Sequence, residues 1–296
     1  MAVTLVLVVG PLLLGLAGLL SSRRAAADPT SSAAPWDWSL TAKSVLLYTL
    51  SFNLTFFVQE FFLVLSKALT PGLRATLYHN NHRWEGGNPL ASLMQGTGAT
   101  AIFLAGITCA FLLARGAGRS ITSRLFLIWM TYNGFMQSLP QVIIGAVEPE
   151  NDVGMAMNYL HFGAALKTAA AFIALVLIPL VGLSLTGSFL GLAQDSAQTA
   201  SARARIRFVF LAATLPAMTA ILLIIPFRVP RSWIEVALVP VVVTGTGISW
   251  LQFGAWRVSA TAKARPGGIS EMYLLGAVLI LFLVFQLVLR PGIHFY

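Results

Sequence analysis

The sequence predicts an all-α fold, a polytopic bundle of about eight transmembrane helices. Of 296 residues, 57% are hydrophobic and only 10% are charged, where a soluble domain carries about 25% charged residues. The mean hydropathy is +0.81. Several apolar runs approach or exceed the roughly 20 residues a helix needs to cross a bilayer. A backbone in lipid must satisfy its own hydrogen bonds, and helices do so within one segment.

The first span, 2–21, has no basic residue ahead of its apolar core and is followed by Arg23 and Arg24. A cleaved signal peptide carries its charge on the other side, so this segment reads as a retained N-terminal anchor, with a signal-like segment as the alternative. Residues 22–43, with the Ala/Ser/Pro-rich stretch "AAADPTSSAAP", read as a linker. A transmembrane core at 44–183 follows, with spans at 44–65, 93–114, 124–146 and 158–183. The C-terminal helices at 206–226, 233–255 and 272–290 complete 184–296. No loop is long enough for a separate soluble domain.

The cations set the topology. Loops after spans 1, 3, 5 and 7 hold twelve of them: Arg23, Arg24, Lys43, Arg115, Arg119, Arg124, Arg203, Arg205, Arg207, Arg257, Lys263 and Arg265. The other side holds six: Lys67, Arg74, Arg83, Arg228, Arg231 and Arg290. The positive-inside bias makes the first group cytoplasmic and places both termini outside a cell membrane crossed many times. The net charge of +9 then reflects topology and contact with the lipid bilayer. A basic balance also suits nucleic acid, but no soluble basic domain exists to bind it. Cys109 stands alone, which excludes an internal disulfide and a CxxC metal knuckle.

The notable polar residues within the spans are Asn53, Gln59, Glu60, Gln95, Asn133, Gln137, His161 and Lys167. An ionisable group there costs ~2.5 kcal/mol or more on insertion scales, so each is a candidate functional residue. Asn53, Phe57, Glu60 and Lys67 fall on one helical stripe. Lys167 is the expected countercharge for Glu60, either lining a water-accessible site or forming a buried structural pair.

Two outward loops hold the remaining chemistry. In "SKALTPGLRATLYHNNHRWEGGNPLAS" (66–92), His79 and His82 are three apart. That spacing on a helical turn suits a shared metal, but Asn80-Asn81 between them and Gly86-Gly87 after them indicate a turn. A solvated or interfacial loop, with Tyr78 and Trp84 at headgroup depth, is the other reading. The loop "AVEPENDVGMAMNYLHF" carries Glu148, Glu150 and Asp152, with His161 close behind. If the loops converge, His79, His82, Asp152 and His161 form an oxygen and nitrogen set suited to a divalent cation.

The order of these features resembles the site-2 protease family of membrane-embedded zinc metalloproteases. "QEFFL" (59–63) stands where HExxH stands in that family, "QGTGATAIFLAG" resembles its Gly-rich segment, and "SLPQVIIGAVEPENDVG" its Asp-bearing segment. The resemblance covers about 45–165. It implies Glu60 as the general-base glutamate and Asp152 as the third zinc ligand. Gln59 and Leu63, however, occupy the two histidine positions. Leucine cannot ligate zinc and glutamine ligates it poorly, so the water-activating site is missing. The implied protein is a degenerate relative with no cofactor, Glu60 being the remnant of a catalytic base.

No GxSxG elbow and no Walker-type phosphate loop is present. "GTG" at 96–98 and at 245–247 reads as helix close-packing. Three functions stay open. The first is a non-catalytic membrane protein that binds a lipid, another membrane protein or a transmembrane peptide. The second is an intramembrane metalloprotease whose zinc ligands have moved. The third is a transporter or channel with a polar pathway at Glu60, Lys167, Gln137 and His161.

Overall fold

The computed structural model describes residues 1–25, 36–259 and 267–296. The expected linker's residues 26–35, and Lys263 and Arg265 of the cation count, lie outside them. Of the described residues, 76% are helical. The long elements are α1 (Ala2–Ser21), α2 (Trp38–Ala68), α3 (Leu90–Ala114), α4 (Ile121–Val147), α6 (Ala164–Leu190), α7 (Ala202–Arg228), α8 (Glu235–Gly254) and α9 (Glu271–Leu289). A short helix, α5 (Asp152–Tyr159), precedes α6. All the long helices except α4 are apolar enough, as well as long enough, to cross a membrane.

The sheet decides whether α4 crosses. Strands β1 (Leu73–Leu77), β2 (His82–Gly86) and β3 (Ile293–His294) form an antiparallel sheet in the order β2-β1-β3. Because β3 pairs with β1, the chain between them must cross the bundle an even number of times. With α4 counted, six helices lie between β1 and β3; without it, five. α4 therefore spans, and its low hydropathy follows from Thr131, Asn133, Gln137, Ser138 and Gln141, four of which are buried within the bundle. A central helix meets protein on most sides and needs no apolar coat.

Two boundaries differ from the sequence reading. The second span starts at Trp38 rather than at 44, because Asp37 caps it by accepting from the Ser39 N–H at 3.0 Å. The expected loop 66–92 is a β-hairpin, entered through Pro71-Gly72 and turned at 78–81, where the Tyr78 N–H donates to Asn81 O at 2.9 Å. Gly86 closes it with a φ of 99°, and a Cβ there would stand 2.0 Å from Gly72 O. Only glycine satisfies both conditions.

Helices meet closely where small residues allow it. α3 and α4 cross at Gly106 and Gly134, where an added Cβ on Gly134 would lie 2.7 Å from Gly106 Cα. Gly98 seats against Leu63 and Gln59, and Gly247 against Tyr132 and Met136, so both GTG segments contain a close-packing glycine; Gly245 faces open space. Gly10, Gly15 and Gly18 of α1 receive Trp250, Phe253 and Trp256, so α1 runs parallel to α8. Its N-terminus therefore lies at the end of the bundle that carries the sheet and the C-terminus. The core centres on Tyr48, Trp129, Tyr132 and Phe189, with Trp129 edge-on to Tyr48 at 4.7 Å and to Phe189 at 4.8 Å. Their polar tips are satisfied: Trp129 Nε1 donates to Ser44 Oγ at 3.0 Å and Tyr132 O–H to Thr244 O at 2.6 Å.

A candidate polar site beneath the hairpin

The last two turns of α2 bury two charges. Glu60 is 6% exposed and Lys67 is fully buried, and seven residues apart they share one helix face. The hairpin folds back over that face and brings His82, the first residue of β2, onto Glu60. His82 Nδ1–H donates to Glu60 Oε2 at 2.9 Å. Its other nitrogen, Nε2, lies 3.0 Å from Gln95 Oε1 and 3.5 Å from Lys67 Nζ.

Lys67 stands at the centre of this group. Its ammonium donates to Gln95 Oε1 at 2.7 Å and to Leu63 O at 3.1 Å, and lies 4.8 Å from the centroid of the Trp84 ring. Trp84 also stacks on His82 at 5.6 Å and 15°, as two residues on one face of a strand can. Asp152, the first residue of α5, lies within electrostatic reach. Burial pushes its carboxyl above the usual carboxylate range; Glu60 adds to the rise, while His82 and Lys67 oppose it.

Below Glu60 the α2–α4 interface continues as a polar ladder. Gln141 Nε2 donates to Gln59 Oε1 at 2.8 Å and to Gln137 O at 2.8 Å. Gln137 Nε2 donates to Phe52 O at 3.2 Å, and Asn133 Nδ2 to Ser51 Oγ at 2.8 Å. Asn53 turns back to its own helix, donating to Thr49 O at 2.9 Å. On another side, Arg228 sits over the Phe56 ring at 4.5 Å with Nε and Nη1 buried and unbonded among the described residues.

The structure brings Glu60, His82 and Asp152 into one neighbourhood but leaves their expected companions elsewhere. His79 is buried against the start of the α7–α8 connection, its Nε2–H donating to Val229 O at 3.0 Å. Burial, followed by nearby Arg290, Arg231 and Arg228, pulls its imidazole below the usual histidine range, against the pull of the Val229 bond. His161 is exposed in the bend after α5, with a φ of 54°. The expected Glu60–Lys167 pair does not form: Lys167 donates to Asn158 Oδ1, and Glu60 is taken by His82. The sequence counts Lys67 among the outward cations and reads Trp84 at headgroup depth, whereas the structure buries Lys67 beside Glu60 with Trp84 against it. The shared helical stripe of Glu60 and Lys67 is the sequence signal for this burial.

Zinc, which the resemblance to the site-2 protease family implies, does not fit these residues. Leu63 offers no donor, Gln59 Oε1 already accepts from Gln141, and Gln95 Oε1 already accepts from an ammonium. At an effective dielectric of about 20, a dication roughly 4 Å from that ammonium is repelled by about 8 kcal/mol. Among the described residues, no group of three or more His, Cys, Asp or Glu is placed to hold a metal ion.

The fold defines the class: a multi-pass membrane protein built as a helical bundle with a small sheet at one end. No protein-family model, no curated protein and no solved structure matches the chain.

Proposed function

We propose that this is a non-catalytic, multi-pass protein of the cell membrane that binds a transmembrane or membrane-anchored partner. In this reading both termini lie outside, and the core is a degenerate relative of the site-2 protease family. One observation carries the proposal: the Lys67 ammonium fills the donor set beside Glu60, bonding Gln95 at 2.7 Å. Glu60 in turn is committed to His82, and the side chains beside it do not form a donor set that would hold a water-activating metal. The cluster is an internal charge clamp that fixes the hairpin over α2.

A clamped hairpin supplies a surface for a partner. β2 is an edge strand: β1 covers one side of it, and among the described residues no strand pairs with the other. Such an edge pairs readily with an extended segment of a second chain. Arg83 and Glu85, exposed on β2, give that edge charges of both signs.

The test is hydrolysis and assembly measured together on the purified protein and a Glu60→Gln variant. The proposal expects no cleavage of transmembrane peptides by either protein, and weaker partner co-purification for the variant. A cleavage activity present in the wild type and lost in Glu60→Gln would overturn it.

The Gln59–Gln141–Gln137–Asn133 ladder favours a second reading, a polar pathway for a proton or a small ion. That reading requires flux in reconstituted vesicles that falls when Glu60 or Gln141 is replaced.

A further inference from the structure

At the opposite end of the bundle, about 28 Å from Gln95 along α3 by helical rise, a cavity of about 260 Å³ opens between α3, α4 and α6. Its walls are Leu113 of α3, Phe135 of α4 and Leu185 of α6, with Ser184 and Ser188 along one side. Arg124, in the first turn of α4, closes the end nearest the membrane surface. Arg124 is only 6% exposed. Its Nε is buried without a hydrogen bond, and no ion pair or ring contact reaches its guanidinium among the described residues. The Ser188 hydroxyl likewise makes no hydrogen bond among them, whereas Ser184 donates to Val181 O at 2.8 Å.

A guanidinium held in a residue only 6% exposed, with its Nε unbonded, is stabilised when an anion reaches it. Here an anion has a way in. α3 ends, α4 begins and α6 ends at this level, which sets Arg124 at headgroup depth. Phe135 lies eleven residues further along α4, about 16 Å deeper into the hydrocarbon. The cavity is thus cationic at the surface and mainly apolar below, where the Thr131 and Ser184 hydroxyls are already committed to Leu127 O and Val181 O, each at 2.8 Å. Arg115 and Arg119 on the adjoining loop add positive charge outside it.

We propose that this cavity is a binding site for an anionic membrane lipid, with Arg124 holding the acidic group, Ser188 donating to it, and one acyl chain lying against Leu113, Phe135 and Leu185. The chemistry required is one anion at the head of an apolar chain. An anionic phospholipid and a free fatty acid both supply it. The site shares no residue with the Glu60 cluster, so its failure and the failure of the proposed function are separate results.

The test is native mass spectrometry of the full chain released from phosphatidylcholine vesicles doped with phosphatidylglycerol or with oleate, and of the chain with inorganic phosphate alone. The expected result is a single retained adduct of phosphatidylglycerol or of oleate, the stronger of the two naming the source, and about tenfold less of it in Arg124→Gln, as loss of a charged hydrogen bond implies. Arg124→Lys should keep part of the binding. Arg207→Gln, which removes an exposed cation from the same predicted side, should keep all of it. Equal retention in wild type and Arg124→Gln, or equal retention of phosphatidylcholine, would overturn the proposal, as would inorganic phosphate displacing the lipid at equal concentration. Should Arg124→Gln fail to fold, Ser188→Phe fills the cavity and leaves the cation in place. The same loss is expected there, and undiminished binding would overturn the proposal.

Discussion

His82 Nδ1–H donates to Glu60 Oε2 at 2.9 Å, joining the first residue of a β-strand to the interior of a membrane-spanning helix. Both side chains are less than a tenth exposed. The bond explains how a carboxylate is held in an apolar segment, and it makes the hairpin and α2 one unit. Glu60 also balances the buried Lys67 ammonium electrostatically, and removing one of two buried opposite charges costs about 3–5 kcal/mol because the other is left uncompensated. Glu60→Gln should therefore lower the thermal midpoint in detergent, and Glu60→Gln combined with Lys67→Met should recover part of the loss. A double variant no more stable than the single would show that Lys67 does not depend on Glu60.

Gly86 controls the same unit from the backbone. Its φ of 99° and the 2.0 Å gap to Gly72 O leave no room for a Cβ. Gly86→Ala should cost about 1–3 kcal/mol, release the hairpin and expose the turn at 78–81 to protease. Gly87→Ala is the control, since nothing lies within 4 Å of its Cβ position. Equal protease resistance in the two variants would contradict the assigned role.

The ladder between α2 and α4 predicts smaller, pairwise effects. Interhelical polar bonds in membranes average about 0.6 kcal/mol and reach about 1.7. Gln59→Leu and Gln141→Leu should each destabilise within that range, and a double-mutant cycle should return a coupling of similar size from their 2.8 Å bond. Strict additivity would mean that the two amides do not meet.

Two groups outside the spans set the pH dependence in opposite directions. The carboxyl of Asp152 is raised above its ordinary 3.8, so the folded state holds its proton longer than the unfolded chain. Its stabilisation is complete below 3.8 and is lost as pH rises through the raised value. The imidazole of His79 is lowered below 6.5, so its contribution is complete above 6.5 and is lost as pH falls through the lowered value. Asp152→Asn should flatten the stability profile just above pH 4, and His79→Gln the profile just below pH 6.5, in thermal melts at fixed ionic strength. A steeper profile in either variant would reverse the sign argued for that residue.

The bundle was largely legible because hydropathy reports lipid contact directly. α4 shows where that signal weakens: it was found as an apolar run, yet its buried face carries Asn133 and Gln137, since a helix wrapped by protein needs no lipophilic surface. The hairpin was missed because its strands do not alternate cleanly. β1 buries Leu73, Ala75, Thr76 and Leu77, and β2 is held by the His82–Glu60 hydrogen bond rather than by an apolar face. The site was half legible. Glu60 stood out as a carboxylate in an apolar run, but its partner is fixed by the fold of the hairpin, which helical spacing does not encode. Lys167 was the wrong countercharge because α5 breaks the expected fifth span and leaves that lysine beside Asn158.

Lys67 serves as the cluster's own cation, and the zinc content of the detergent-purified protein, measured by elemental mass spectrometry beside His82→Ala, tests that role directly. No stoichiometric zinc is expected in the wild type after exposure to equimolar metal, and no change in the variant. One zinc per chain in the wild type, lost in His82→Ala, would contradict it and return Glu60 to a catalytic role.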